Sequence, residues 1–195
     1  MSKLYFRYGA MNSGKSTHLM QVAHNYEERG MKAILMKPST DKKGGENLVS
    51  RLGVERKVDL VIFNDDNILE KVQEYRDINK DIDCILVDEV QFLKADQIDQ
   101  LFELAVVLDI PVICYGLRTD FKMQGFEGST RLLLLAHSIE EMKTICKCGR
   151  KAVLNGRKIN NRFVFEGEQI AIDNVDDVEY ESLCGHCYFK YKNNL

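Results

Sequence analysis

The sequence predicts an α/β fold, a parallel sheet flanked by helices, followed by a small cysteine-bearing C-terminal unit. Three observations predict it. Short apolar runs alternate with helical patterns as far as Tyr115. The stretch Gly9-Ala10-Met11-Asn12-Ser13-Gly14-Lys15-Ser16 lies between the first such run and the first helix. Paired cysteines appear only after Ile145.

The elements follow in order. Leu4 to Tyr8 reads as a short buried strand, and Ser16 to Arg29 as a helix. Ala33 to Met36 is a second strand, ended by Lys37-Pro38. Asp41-Lys42-Lys43-Gly44-Gly45 is a polar, glycine-rich loop. Val58 to Phe63 is a third strand. Asn67 to Arg76 carries Ile68, Leu69, Val72 and Tyr75 at helical spacing. Cys84 to Val87 is continuously apolar, as a strand covered on both faces must be. Ala95 to Leu108 aligns Ile98, Leu101, Phe102, Ala105 and Leu108 on one helical face, and Pro111 to Tyr115 is another buried strand. Leu117 to Ser129 reads as a loop and Arg131 to Met142 as a helix. The division expected is 1–142 for the sheet domain and 143–195 for the small unit, which is too short to build much core alone.

Composition narrows the classes. The chain has 195 residues, 45% hydrophobic and 29% charged, an ordinary globular make-up. A formal charge of −3 and the lack of a basic, aromatic-rich stripe argue against a nucleic-acid partner. No apolar run has membrane-spanning length, and Met1-Ser2-Lys3 lacks the apolar region of a signal peptide, so a cytoplasmic protein with no membrane partner is expected. In that setting six cysteines read as thiols or metal ligands rather than disulfides.

Gly9 to Ser16 fits G-x-x-x-x-G-K-S, a phosphate-binding loop with its strand before and its helix after. Its glycines allow consecutive N–H groups to point at phosphate oxygens, and the helix adds its positive end. Lys15 is expected on the β/γ-phosphates of ATP and the Ser16 hydroxyl on Mg²⁺. Asp88, at the end of an apolar strand, is the expected acidic partner for Mg²⁺. Glu89 is placed to take a proton from an attacking hydroxyl, and Gln91 to orient the nucleophile. The loop makes the expected fold a P-loop, RecA-like sheet. Cys146-Lys147-Cys148 and Cys184-Gly185-His186-Cys187 offer four thiolates, which fit a closed structural Zn²⁺ site and give the small unit a zinc-ribbon-like character. His186 is a lesser alternative ligand, and Cys84 and Cys114 read as core residues.

These residues resemble the thymidine kinases of the cellular, zinc-containing type. Gly9 to Thr17 is similar to that family's phosphate loop, and Val87-Asp88-Glu89-Val90-Gln91-Phe92 to its D-E-x-Q-F segment. Gly116 to Phe121, with Phe126 and the stretch from Arg131 to Cys146, resembles its G-L-x-x-x-F loop, helix and first cysteine. Tyr180 to Cys184, with Cys187-Tyr188, resembles its tail.

The resemblance implies ATP-dependent phosphorylation of the 5′-hydroxyl of thymidine, giving dTMP in nucleotide salvage. Glu89 is then the general base. Gly9, Ala10, Met11, Asn12, Ser13, Gly14, Lys15, Ser16, Asp88, Glu89, Val90 and Gln91 bind ATP, with Ser16 and Asp88 on Mg²⁺. Phe121, Phe126 and Tyr180 border the nucleoside. Gln169, Ile170, Ala171, Ile172 and Asp173 form part of a lasso around the base. Cys146, Cys148, Cys184 and Cys187 bind Zn²⁺. The family pattern also implies a homotetramer inhibited by dTTP.

Three features depart from that pattern. Ile172-Asp173-Asn174 stands where the family has I-G-G, the first cysteine pair is C-x-C rather than C-x-x-C, and Lys42-Lys43 stands for an Arg-Tyr pair. The rival readings are a broader deoxynucleoside kinase and a RecA-like ATPase driven by nucleic acid.

Overall fold

Alternate residues of a strand face opposite ways, so a strand apolar at every position needs cover on both sides. The computed structural model, which describes residues 1–41, 47–49, 53, 55–79, 81–169 and 178–194, supplies that cover. Its chain order is β1 (Leu4–Tyr8), α1 (Lys15–Glu27), β2 (Ala33–Pro38), β3 (Asn47–Val49), β4 (Glu55–Lys57), β5 (Leu60–Ile62), α2 (Ile68–Asn79), β6 (Cys84–Val87), α3 (Ala95–Val106), β7 (Val112–Gly116), α4 (Glu127–Leu135) and β8 (Ser138–Glu141). Then come β9 (Thr144–Ile145), β10 (Lys151–Ala152), β11 (Leu154–Ile159), β12 (Arg162–Val164), β13 (Val178–Leu183) and α5 (Gly185–Lys192).

Six strands form one sheet in the order β5-β2-β6-β7-β1-β8, parallel throughout. One face packs Leu4, Phe6, Ile34, Met36, Ile85, Val87 and Val112 against Ile68 and Val72 of α2, Ile98, Leu101 and Leu104 of α3, and Leu132 of α4. The other packs Ala33, Leu35, Cys84, Leu86, Ile113 and Tyr115 against Leu19, Met20 and Ala23 of α1. Odd and even positions of β2 and β6 thus belong to different core layers.

Leu101 has no solvent exposure and sits in the middle of the first layer. Leu101→Ala should cost about 2–5 kcal/mol of stability, read as a lowered denaturant midpoint with an unchanged slope. A loss below about 1 kcal/mol would contradict this packing.

The expected helix over Arg131–Met142 is corrected. α4 begins four residues earlier at Glu127 and stops at Leu135, and Ser138–Glu141 is a strand paired in parallel with Tyr5–Tyr8. Glu-rich sequence favours helix. Here the open edge of β1 decides instead, because its N–H and C=O groups need partners. The junction is fixed at His137, whose N–H donates to the Leu4 carbonyl at 2.9 Å while its Nδ1 accepts from the Leu4 N–H at 3.0 Å. The polar loop 41–45 lies outside the described residues beyond Asp41. The β3–β4 pairing beyond it is antiparallel.

After β8 the pairing becomes antiparallel and local. β9 pairs with β10, β11 lies between β12 and β13, and α5 closes the end.

Candidate active site

In a parallel sheet all strands end at one edge, and ligands gather in the crevice there. At this edge β1 leads into Gly9, β6 into Asp88 and β7 into Leu117. β7 lies between β1 and β6, which separates the phosphate loop from the acidic pair by one strand.

Within the loop Asn12 has φ 64° and Gly14 φ 78°, both left-handed. Glycine reaches that region without a Cβ clash and asparagine more readily than most residues. These two turns wrap the loop over the start of α1. Lys15 is buried, and its Nζ donates to the Gly9 and Ala10 carbonyls at 3.3 and 3.0 Å and to Ser13 Oγ at 3.3 Å. The Ser16 hydroxyl donates to Asp88 Oδ2 at 2.9 Å across the crevice.

Asp88 is 2% exposed, and its Oδ1 is the buried side-chain oxygen without a hydrogen-bond partner among the described residues. Burial, reinforced by the neighbouring Glu89 charge, pushes its carboxyl above the usual range. A buried carboxylate oxygen with no donor beside a serine hydroxyl fits a divalent cation, whose charge would keep the acid ionised. Ser16 and Asp88 therefore suit Mg²⁺.

Glu89 has φ 48° and ψ 35°. A non-glycine residue in that conformation costs on the order of 1–3 kcal/mol. The turn ends β6 and swings the carboxylate into a cavity of about 730 Å³. Gln91, 2% exposed, fixes the carboxylate there. Its Nε2 donates to Glu89 Oε2 while its Oε1 accepts from the Leu117 N–H at 3.0 Å. The amide thus holds the carboxylate and the β7 loop together. Val90, the residue between them, is fully buried in the core and does not face the cavity.

The same cavity is lined by Met11, Asn12, Phe121, Phe126, Gln169 and Tyr180. Phe126 meets Phe92 edge-on with ring centroids 5.6 Å apart. Gln169 Nε2 donates to Asp120 Oδ2 at 3.2 Å. Ile170, Ala171, Ile172 and Asp173 lie outside the described residues.

The sequence reading missed Arg157. Only 4% exposed, it sits 3.8 Å above the Phe121 ring and donates from Nε to the Tyr180 hydroxyl at 3.0 Å. Its other two nitrogens donate to the Glu168 and Gln169 carbonyls at 2.7 and 2.9 Å. One planar cation thus ties together a wall of the cavity and the start of the 169–173 segment. Nothing in Leu154-Asn155-Gly156-Arg157 marks this arginine as inward-facing, because the strand lacks apolar alternation.

The four cysteines converge. Their Sγ atoms all lie within 4.8 Å of one another. The short C-x-C spacing works because Gly149, at φ 83°, lets the chain reverse directly after Cys148. The reversal is held by hydrogen bonds from Gly149 N–H to the Cys146 carbonyl and from Cys146 N–H to the Arg150 carbonyl, both 2.8 Å. The Cys187 N–H donates to Cys184 Sγ at 3.4 Å and holds that thiol below its usual range. Cys187, beside Cys148, moves the opposite way. Four sulfurs with no open position suit a structural metal ion.

The fold and this crevice define a class, the ATP-using kinases built on a phosphate-loop sheet. A profile of the thymidine kinase family matches residues 2–188. Relatives called thymidine kinase include that of Francisella tularensis subsp. holarctica, 45% identical over 190 residues and covering 94% of this chain and 95% of its own. The Idiomarina loihiensis relative is 47% identical over 186 residues, covering 94% of each chain. That of Enterobacteria phage T4 is 41% identical over 186 residues, again covering 94% of each. Among solved structures, AMPPCP-bound DnaA from Aquifex aeolicus aligns at 20% identity and a TM-score of 0.46, over 75% of this chain and 42% of its own. The chain belongs to the thymidine kinase family.

Proposed function

We propose that this protein transfers the γ-phosphoryl group of ATP to the 5′-hydroxyl of thymidine, with Glu89 as the base. The hydroxyl proton passes to a Glu89 carboxylate oxygen, the hydroxyl oxygen bonds to the γ-phosphorus, and the bond to the β-phosphate oxygen breaks, leaving dTMP and ADP. The observation that carries this reading is the left-handed turn at Glu89, which aims its carboxylate into the cavity one residue from the Ser16–Asp88 contact.

Gly9 to Ser16 cradle the phosphates, with Lys15 on the β/γ oxygens. Ser16 and Asp88 hold Mg²⁺, which supplies charge neutralisation to the phosphates when bound. Phe121, Phe126 and Tyr180 wall the nucleoside, and a cavity of about 730 Å³ is of the size that takes such a ligand. Gln169 lines the cavity, and the family resemblance supports Ile170, Ala171, Ile172 and Asp173 as further substrate-binding residues. Cys146, Cys148, Cys184 and Cys187 hold Zn²⁺ as a structural ion for the unit 143–195. The family resemblance supports a cytoplasmic homotetramer inhibited by dTTP.

The test is ATP-dependent phosphorylation of thymidine, deoxycytidine, deoxyguanosine and deoxyadenosine under one set of conditions. Product from thymidine alone, or at least tenfold faster from thymidine, is expected. Equal turnover on several nucleosides would favour the broader kinase. ATP hydrolysis stimulated by DNA with no nucleoside product would overturn the reading.

A further inference from the structure

The phosphate loop is held from outside as well as by its own Lys15 contacts. Met11 lies in its middle, and the next residue, Asn12, has φ 64°, a conformation disfavoured without support. Further support comes from the far end of the chain. On β11 Asn155 Oδ1 accepts from the Met11 N–H at 2.8 Å. On β13 the Ser182 hydroxyl donates to the Met11 carbonyl. Asn155 and Ser182 are direct register partners across the two strands, and they are 3% and 5% exposed. Both peptide groups flanking Met11 are thus gripped by one antiparallel pair more than 140 residues away in sequence. Thr144 adds a third contact, its hydroxyl donating to the Asn12 carbonyl at 3.3 Å. Asn155 also reaches the acceptor side of the crevice, since its Nδ2 donates to the Thr119 carbonyl at 3.1 Å.

Fixing the peptide planes on either side of Met11 sets where the following N–H groups of the loop point. A phosphate cradle binds through such N–H groups, so its affinity depends on their being oriented before ATP arrives. Without the clamp, part of the binding energy would go into ordering a loop bounded by two glycines.

We propose that Asn155 and Ser182 are positioning residues of the phosphate loop, two buried side chains on paired strands whose grip on Met11 sets the affinity for ATP. The inference rests on the reading of Gly9–Ser16 as the ATP cradle and not on the identity of the acceptor. Neither side chain reacts. Each acts through the backbone it holds.

The experiment is calorimetric titration of the full chain with MgATP in the absence of any nucleoside, paired with thermal unfolding. Ser182→Ala, which removes one hydroxyl, should weaken MgATP binding about threefold to tenfold, the effect of one hydrogen bond. Ser182→Thr, which restores a hydroxyl, should return affinity to within about twofold of the unsubstituted chain. Asn155→Leu, similar in volume but unable to accept, should weaken binding by about tenfold or more, and if it does not fold the serine pair decides. For Ser182→Ala, whose side chain does not line the cavity, the loss in the kinase assay should appear in KM for ATP, with kcat at saturating ATP changed less than about twofold. Unchanged MgATP affinity in folded Ser182→Ala, with only a lower unfolding midpoint, overturns the proposal and makes the contacts simple packing. Because the titration contains no acceptor, a failed thymidine assay leaves it standing, whereas an unsubstituted chain that does not bind MgATP sinks the cradle reading and the proposal with it.

Discussion

Glu89→Gln is expected to lower kcat by about 10²–10⁴-fold while leaving MgATP affinity within about twofold. The amide keeps the volume of the side chain and can still accept from Gln91, so the turn and the cavity wall survive. It cannot take a proton from the acceptor hydroxyl. The loss corresponds to about 3–5 kcal/mol of transition-state stabilisation and should fall equally on kcat and kcat/KM. In the proposed reading the phosphates are held by the loop on β1, two strands away in the sheet, and Gln at position 89 leaves that loop and the Ser16–Asp88 contact in place. Steady-state kinetics with thymidine and a separate MgATP titration make the comparison. A kcat within threefold of the unsubstituted enzyme would remove Glu89 from the role of base.

Removal of the Zn²⁺ proposed at the four cysteines is expected to have the largest structural effect. A structural zinc in small domains contributes on the order of 10 kcal/mol to folding, and three of the four cysteines here, Cys146, Cys184 and Cys187, are buried in a small apolar cluster with Ala152, Leu183 and Tyr188, while Cys148 is exposed. Strong chelation should therefore abolish amide-exchange protection across β9 to β13 and α5 while β1, β2, β6 and β7 keep theirs. The sheet domain has two core layers of its own, which is why it should survive. The damage should still reach the crevice, because the Tyr188 hydroxyl donates to the Phe121 carbonyl at 2.7 Å. Less than about one zinc for every ten freshly purified chains, or unchanged protection after chelation, would defeat this expectation.

The legible parts of the protein share a property. The phosphate loop, the strand leading into Asp88-Glu89 and the cysteine pairs are local patterns, each readable within about ten residues. The buried strands Cys84–Val87 and Val112–Gly116 announced themselves by unbroken apolar runs, because both their faces are covered. β8 was not legible. Ser138-Ile139-Glu140-Glu141 carries no strand signature, and only the unpaired edge of β1 makes it one. Arg157, Asn155 and Ser182 were equally silent, since a polar residue in a polar strand looks the same whether it faces water or a buried backbone group.

The sequence by itself determined which chemical groups are present and the order in which they follow: a glycine loop with its lysine and serine, a carboxylate pair after a strand, and four thiols. Those depend on residue type and spacing, which short-range physics reads directly. Tertiary structure alone decided which distant segments hold those groups in place. The Gln91 amide that ties the Glu89 carboxylate to Leu117, the guanidinium on Phe121 and the two-strand grip on Met11 all join residues far apart in the chain. Burial makes such polar contacts strong, and burial is a property of the packed molecule that no local stretch carries.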